Sequence, residues 1–273
     1  MKAIRYTLCL LVGVLTFSCE KVIDVDLNTA PPRLVVEASI NWVKNTSGNV
    51  QLIRLSTTTG YFSQEIPAVT DAIVTVTNSS GVVFDFFQID TPGLYICGNF
   101  MPTLNETYTL TIIYQGQTYI STEKLLATPE VTRIEQRDNA GILGDATEVK
   151  FFFNDIPNET NFYFLGIIDP YKVIPEYGIL EDRFFQNNEM FGLYFSEDFV
   201  PGDTITFTMS GVSQQYYNYM TILLAQAGTT SAGPFSTPTS TVRGNIVNQT
   251  NFNNFALGFF RLGETEVKEY VIQ

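Results

Sequence analysis

Thr107-Tyr-Thr-Leu-Thr-Ile-Ile-Tyr-Gln-Gly-Gln-Thr-Tyr-Ile-Ser-Thr122 is the stretch whose reading decides the fold. Threonines alternate with Tyr108, Leu110 and Ile112, the period-two pattern of a strand with one face in a core and one in water. Gln115-Gly116 then sits between two such runs, where glycine takes the positive φ of a tight hairpin turn. Working outward, the same β-branched and aromatic pattern recurs in Leu34–Trp42, Val50–Ser56, Ala72–Thr77, Val82–Phe87 and Gly93–Cys97. Asn78-Ser-Ser-Gly81 supplies a four-residue reversal between two of them. Seven short strands within about ninety residues predict an antiparallel β-sandwich of the immunoglobulin or fibronectin kind. The Cys…Trp…Cys signature of antibody domains is absent, so the pattern supports the architecture alone.

Thr128-Pro129 interrupts the pattern as a new strand, Val131–Gln136, begins, and is read as a domain joint. The expected modules are residues 33–128, an immunoglobulin-like sandwich, and residues 129–273, a second β-rich module. Glu148–Asn154, Asn161–Ile168, Met190–Phe195, Thr204–Met209, Val242–Val247 and Phe255–Phe260 are its expected strands. One helix is expected near 213–227. Ser213 can cap it, while Tyr216, Met220, Leu223 and Leu224 share a face at 3.6 periodicity. The fold class is therefore all-β: two tandem antiparallel sandwiches with one helix in the second.

The first residues predict the location. Lys2 and Arg5 precede the apolar run Leu8–Leu15 and then Thr16-Phe-Ser-Cys19, the charged, apolar, small-residue order of a secretory signal. The apolar run is too short for a membrane span, which needs about 20 residues. A cysteine directly after such a segment resembles the lipobox of bacterial lipoproteins, which implies a signal peptide over 1–18, lipidation of Cys19 and a lipidated tether over 19–32. A plain signal peptide cut nearby is the other reading. Removing the leader leaves 13 basic residues against 28 acidic, a net charge of −15. Membrane attachment is then expected through acyl chains and not through charge. Cys9 leaves with the leader and Cys19 is consumed, so Cys97 is the one thiol of the body, expected buried in its strand.

Composition excludes much chemistry. The 273 residues contain no histidine, hence no Ser-His-Asp or Cys-His unit and no HExxH metal site. Lys plus Arg number 15 against 28 Asp plus Glu, so the electrostatic footprint of a nucleic-acid binder is missing. Neither GxGxxG nor GxxxxGKS occurs, which leaves no phosphate cradle. No cofactor is expected. Hydrolysis would fall to carboxylate pairs: Glu181-Asp182, Glu197-Asp198 with Asp203, or Asp145 with Glu148. No motif selects one of these pairs, and solvated loop charge is the favoured reading of them. No DxDxDG-like calcium loop is present, so no metal is assigned, and a structural calcium in the loop 196–203 is the remaining metal reading.

The segment from Asp169 to Phe191 lacks strand alternation or a helical stripe and carries many aromatics, so it is read as a long loop. Tyr171, Tyr177, Phe184 and Phe185 are its partner-contact candidates, since rigid aromatic rings dominate protein interfaces. A packed loop without a partner is the competing reading.

Cys19-Glu-Lys-Val-Ile-Asp24, Pro32-Arg-Leu-Val-Val-Glu-Ala38, Gly93-Leu-Tyr95, Tyr216-Tyr-Asn-Tyr219, Gly233-Pro-Phe235, Gly244-Asn-Ile246 and Ala256-Leu-Gly-Phe-Phe260 follow one another in an order that resembles the Bacteroidota lipoproteins of domain of unknown function 4249. The resemblance covers nearly the whole mature chain. It implies an envelope lipoprotein, often encoded beside an outer-membrane TonB-dependent receptor, and carries no catalytic residues. The expected function is a non-enzymatic lipoprotein anchored at the outer membrane that contacts an outer-membrane receptor or transporter. Direct capture of a peptide, glycan or chelate is the alternative, and a carboxylate-pair hydrolase the remote one.

Overall fold

A computed structural model describes residues 30–273 except Tyr61, Ile142, Gln186 and residues 228–240. The expected signal peptide, Cys19 and most of the tether lie outside the described residues. The first seven strands are β1 (Leu34–Val43), β2 (Gln51–Thr57), β3 (Ile73–Asn78), β4 (Val83–Gln88), β5 (Leu94–Cys97), β6 (Thr107–Tyr114) and β7 (Gln117–Lys124). They stack in two layers, β1-β2-β5 facing β4-β3-β6-β7, as the alternation predicts. The β6–β7 hairpin pairs Thr107 with Lys124 through to Tyr114 with Gln117. Gln115 (φ 49°) and Gly116 (φ 70°) close it, both left-handed as a two-residue hairpin turn requires. Its inward residues Tyr108, Leu110, Ile112 and Tyr119 are buried with Val36, Ile40, Ile53, Leu55, Phe84 and Phe100. Cys97 belongs to this core as a buried free thiol, and burial pushes its pKa up.

The chain then repeats the same plan. β8 (Val131–Ala140), β9 (Ala146–Asn154) and β12 (Glu189–Ser196) make a three-stranded layer in the order β12-β9-β8. Opposite lie β10 (Phe162–Ile168), β11 (Glu176–Glu181), β13 (Thr204–Val212) and β15 (Leu257–Val271), ordered β11-β10-β13-β15. β8 to β13 and β15 reproduce the pairing of β1 to β7 except for the β4–β5 pair, which has no counterpart. Between the sixth and seventh strands of this second copy lies an insertion carrying helix α1 (Gln214–Gln226) and the two-residue strand β14 (Val247–Asn248). Ser213 caps α1 by accepting from the Tyr216 N–H, and Tyr216, Met220 and Leu224 are its buried residues. They pack with Phe162, Val212 and Phe259 as a small third core.

The sequence reading differs from the structure in three elements. Residues 176–181 form β11, paired with β10 from Phe162↔Glu181 to Ile167↔Glu176, inside the segment expected to be irregular. β15 runs to Val271, eleven residues past the expected Phe260, because it is a central strand, antiparallel to β13 and parallel to β1. Of the strand expected over 242–247, only Val247 pairs, in β14 against Ile120 of β7.

Residues 32–273 are one compact unit. The second layer pair has its own core around Val149, Phe151, Phe153, Tyr163, Ile205 and Phe207. The first core, however, takes in Ile246, Ala256, Phe260 and Leu262 from the insertion and β15. The Thr128-Pro129 segment is packed onto β15: the Thr128 N–H donates to Glu264 Oε2 at 3.1 Å and the Glu264 N–H to the Leu126 carbonyl at 2.8 Å. Lys44 Nζ lies 2.9 Å from the same Glu264 Oε2. A Cβ on Gly211 would stand 2.0 Å from the Ala127 carbonyl oxygen, so glycine is what admits this close approach.

Candidate functional site

In the first module, the side between the two layers is closed by backbone pairing of β4 with β5, at Phe87↔Ile96 and Gln88↔Tyr95. The equivalent strands of the second module, β11 and β12, do not pair with each other. Each has a partner on one side only, β10 for β11 and β9 for β12. Between them lies a cleft of about 120 Å³ lined by Glu176, Tyr177 and Gly178 from one strand and Gly192, Leu193 and Tyr194 from the other. Two glycines shape its floor. A Cβ on Gly192 would meet the Phe207 ring at 2.7 Å, and one on Gly166 would meet Thr208 Oγ1 at 2.6 Å and the Tyr177 ring at 3.4 Å.

β12 alternates strictly, with Met190, Gly192, Tyr194 and Ser196 inward. Its outward row is Phe191, Leu193 and Phe195, each more than 40% exposed. An edge strand with an outward apolar row is a template for another chain unless something blunts it. The other free edges are blunted. β14 is two residues long, β8 carries register shifts near both ends and exposes Arg133, Glu135 and Arg137, and β11 is short and begins and ends on a glutamate. β12 pairs with β9 in unbroken register over all eight residues.

The turn from β10 to β11 adds to this side. At its tip Val173 is fully exposed and Ile174 largely so. Buried Asp169 holds the turn, its Oδ1 accepting from the Tyr171 N–H at 2.8 Å and its Oδ2 from the Tyr194 hydroxyl at 2.7 Å. Burial, above all, pushes the Tyr194 phenol up to about 12. Lys172 pairs with Glu176 and lies 5.3 Å from the centre of the Tyr194 ring, and its ammonium is held above its ordinary range, first by the hydrogen bond to Glu176.

The four aromatics singled out from sequence fall into two places. Tyr171 donates its hydroxyl to Asp203 Oδ2 at 2.9 Å, and Tyr177 stacks on Phe164 with ring centres 5.2 Å apart, both near the cleft. Phe184 and Phe185 follow the far end of β11, roughly 17 Å away along the strand at its usual rise. Phe184 is 85% exposed. Leu193 and Phe195 were not singled out from sequence, where Met190–Phe195 is simply an expected strand, and Phe191 closes the aromatic segment without being among its candidates.

Of the acids offered for hydrolysis, one in each group is engaged in structural contacts. Glu148 is buried and pairs with Lys150 at 3.2 Å and Arg137 at 3.3 Å. Glu181 pairs with Arg183 at 3.0 Å. In the loop 196–203, Asp203 Oδ2 accepts from the Val200 N–H and from Tyr171. Among the described residues no three His, Cys, Asp or Glu side chains cluster as metal ligands, and no helix is long and apolar enough to cross a membrane.

The family model described as Domain of unknown function (DUF4249) matches residues 20–269. No curated protein matches the chain. Among solved structures, a two-domain fibronectin type III segment of chicken tenascin is similar at 12% identity and TM-score 0.22, over 66% of this chain and 90% of that one. A cytokine receptor complex is similar at 6% identity and TM-score 0.27, over 66% and 85%. The fold description rests on the strand order given above.

Proposed function

We propose that this chain, which belongs to the DUF4249 family, is a non-enzymatic outer-membrane lipoprotein that works by protein–protein contact with an outer-membrane receptor or transporter. The contact surface is the open side of the second module: the outward row of β12, the cleft beside it and the 171–177 turn. The observation that carries this reading is the unguarded edge of β12, since natural sandwiches blunt such edges when nothing docks there. The exposed Val173 and Ile174 extend the same apolar side, and a few buried aromatic and aliphatic anchors usually supply most of an interface's energy. Anchoring falls to Cys19 and its acyl chains, because two or more chains hold a protein stably at a membrane. The engagement of Glu148, Glu181 and Asp203 in structural contacts favours a binding role over hydrolysis.

The test is recovery of a receptor from mildly solubilised envelopes with wild type and with Leu193→Lys/Phe195→Lys. A charge on each outward site is expected to weaken recovery about 30-fold, the equivalent of one hot spot of about 2 kcal/mol. The thermal midpoint should move by only a few degrees, as for surface sites. Equal recovery with both proteins would remove β12 from the contact. Cys19→Ser is expected to abolish labelling by a fatty-acid analogue and to release the protein from the membrane fraction; an unlabelled wild type would refute the anchor.

A further inference from the structure

Two loops of the second module meet around acids that no cation partners. Asp155 follows β9 and Asn161 precedes β10, while Asp182 and Asn187 lie in the connection from β11 to β12. Asp182 is completely buried and Asp155 nearly so. The Asn161 N–H donates to Asp182 Oδ2 at 2.8 Å, and the Asp182 N–H returns to the Asn161 carbonyl at 3.2 Å. On the second carboxylate, the Asn187 N–H donates to Asp155 Oδ2 at 3.1 Å and the Tyr163 hydroxyl to Oδ1 at 3.2 Å. The Asp155 N–H donates to the Asn188 carbonyl at 3.2 Å. Two buried oxygens are left without a hydrogen-bond partner, Asp182 Oδ1 and Asn161 Oδ1. They belong to residues joined by those two hydrogen bonds, both of which use the Asn161 backbone.

A buried carboxylate is retained only if paired, protonated or bound to a metal. Neither Asp155 nor Asp182 takes part in an ion pair among the described residues, and neighbouring Arg183 is engaged with Glu181. The Asp155 carboxyl is raised, first by burial and also by the charge of Asp182. The Tyr163 phenol is raised by burial and then by both acids, which places the two carboxylates in one electrostatic neighbourhood.

We infer that Asp155, Asp182 and the side-chain oxygen of Asn161 form a binding site for a calcium ion. The available donors are all oxygens, two carboxylates and an amide, which selects a hard cation over zinc or copper. Calcium fits better than magnesium. Magnesium demands near-ideal octahedral geometry, whereas calcium accepts an irregular set of carboxylate and amide oxygens with water completing the shell. Such an ion would tie the β9–β10 loop to the β11–β12 connection that carries Phe184 and Phe185.

The test uses the folded chain, stripped with a chelator and titrated with calcium by calorimetry and by thermal unfolding. Wild type is expected to bind one ion saturably and to gain in thermal midpoint. Asn161→Ala removes an unpartnered acceptor while keeping both backbone bonds, so the metal-free midpoint should hold or rise while calcium affinity falls about tenfold or more. Asp182→Asn should lose the site. The exposed pair Glu197→Gln/Asp198→Asn should bind as wild type does. The inference is overturned if calcium leaves the wild-type midpoint unmoved, or if Asn161→Ala binds unchanged, which would assign the ion to surface acids. It is overturned equally if Asp182→Asn is as stable as wild type with no calcium response in either.

Discussion

Phe260→Ala tests whether the two modules stand or fall together. Phe260 is on β15, register partner of Ala38 in β1, and fully buried among residues of the first seven strands. Its N–H donates to Asn245 Oδ1 at 2.9 Å and its carbonyl accepts from Asn245 Nδ2 at 2.8 Å, so the backbone position is fixed independently of the ring. Truncating a buried phenylalanine costs about 3–5 kcal/mol. At about 2–4 °C per kcal/mol for a chain of this size, the midpoint should fall by about 6–20 °C. The location of the loss is the sharper readout. Hydrogen exchange should show amides of β1, β2 and β6 losing protection along with β13 and β15, because a residue late in the chain completes the first core. Protection lost only after residue 128, with β2 and β6 unchanged, would refute the shared core and support two halves that fold separately.

Tyr177→Ala should lower the midpoint by about 1–6 °C, since its stacking on Phe164 is an aromatic pair of about 0.5–1.5 kcal/mol, whereas the largely exposed Phe184 should tolerate alanine with no measurable change; a loss of about 3 kcal/mol at either would make it a core residue. Glu123 is buried, its carboxyl pushed up first by burial, against hydrogen bonds from Asn245 Nδ2 at 3.0 Å and Ser213 Oγ at 3.3 Å. The folded state therefore holds this proton more tightly than the unfolded chain, and its contribution is most favourable below the ordinary glutamate range and lost as pH rises through the folded value. Glu123→Gln keeps the acceptor without the charge, so it should match wild type in acid and exceed it at neutral pH in denaturant unfolding; parallel pH curves would contradict this.

The first module was legible because its strands have one face in the core and one in water, so alternation appears directly in residues 107–122. Helix α1 was legible through Ser213 and the spacing of Tyr216, Met220 and Leu224. β15 was not. Lying between β13 and β1 at the joint of the modules, it buries Arg261, Thr265 and Glu266 beside Phe260 and Leu262, and a strand that buries polar residues beside apolar ones carries no period-two signal. Arg261 lies 5.4 Å and 5.2 Å from the ring centres of Phe164 and Tyr216, a setting that only tertiary structure supplies. β11 was hidden for the opposite reason: it is half-buried, has one ladder partner, and is short between Pro175 and Asp182.

The outward row of β12 was hidden by a related ambiguity. Met190–Phe195 is apolar on both faces, and such a run reads as a strand covered on both sides. In a two-layer sandwich only one face meets the core, so one of the two rows must be outward, and Gly192 identifies the inward one because Phe207 fills the space a side chain there would occupy. Phe191, Leu193 and Phe195 follow as the exposed row. The repeat of topology then locates the open side. The first module closes β4 on β5 by direct pairing, and the second module lays β14 of its insertion on β7 and its seventh strand, β15, on β1, so each edge of the first module has a partner within the chain. Among the described residues no strand does the same for the second module, and β12 is left with an unpaired backbone edge beside an apolar row. A strand or loop from another protein that seats there would supply for the second module what β14 and β15 supply for the first.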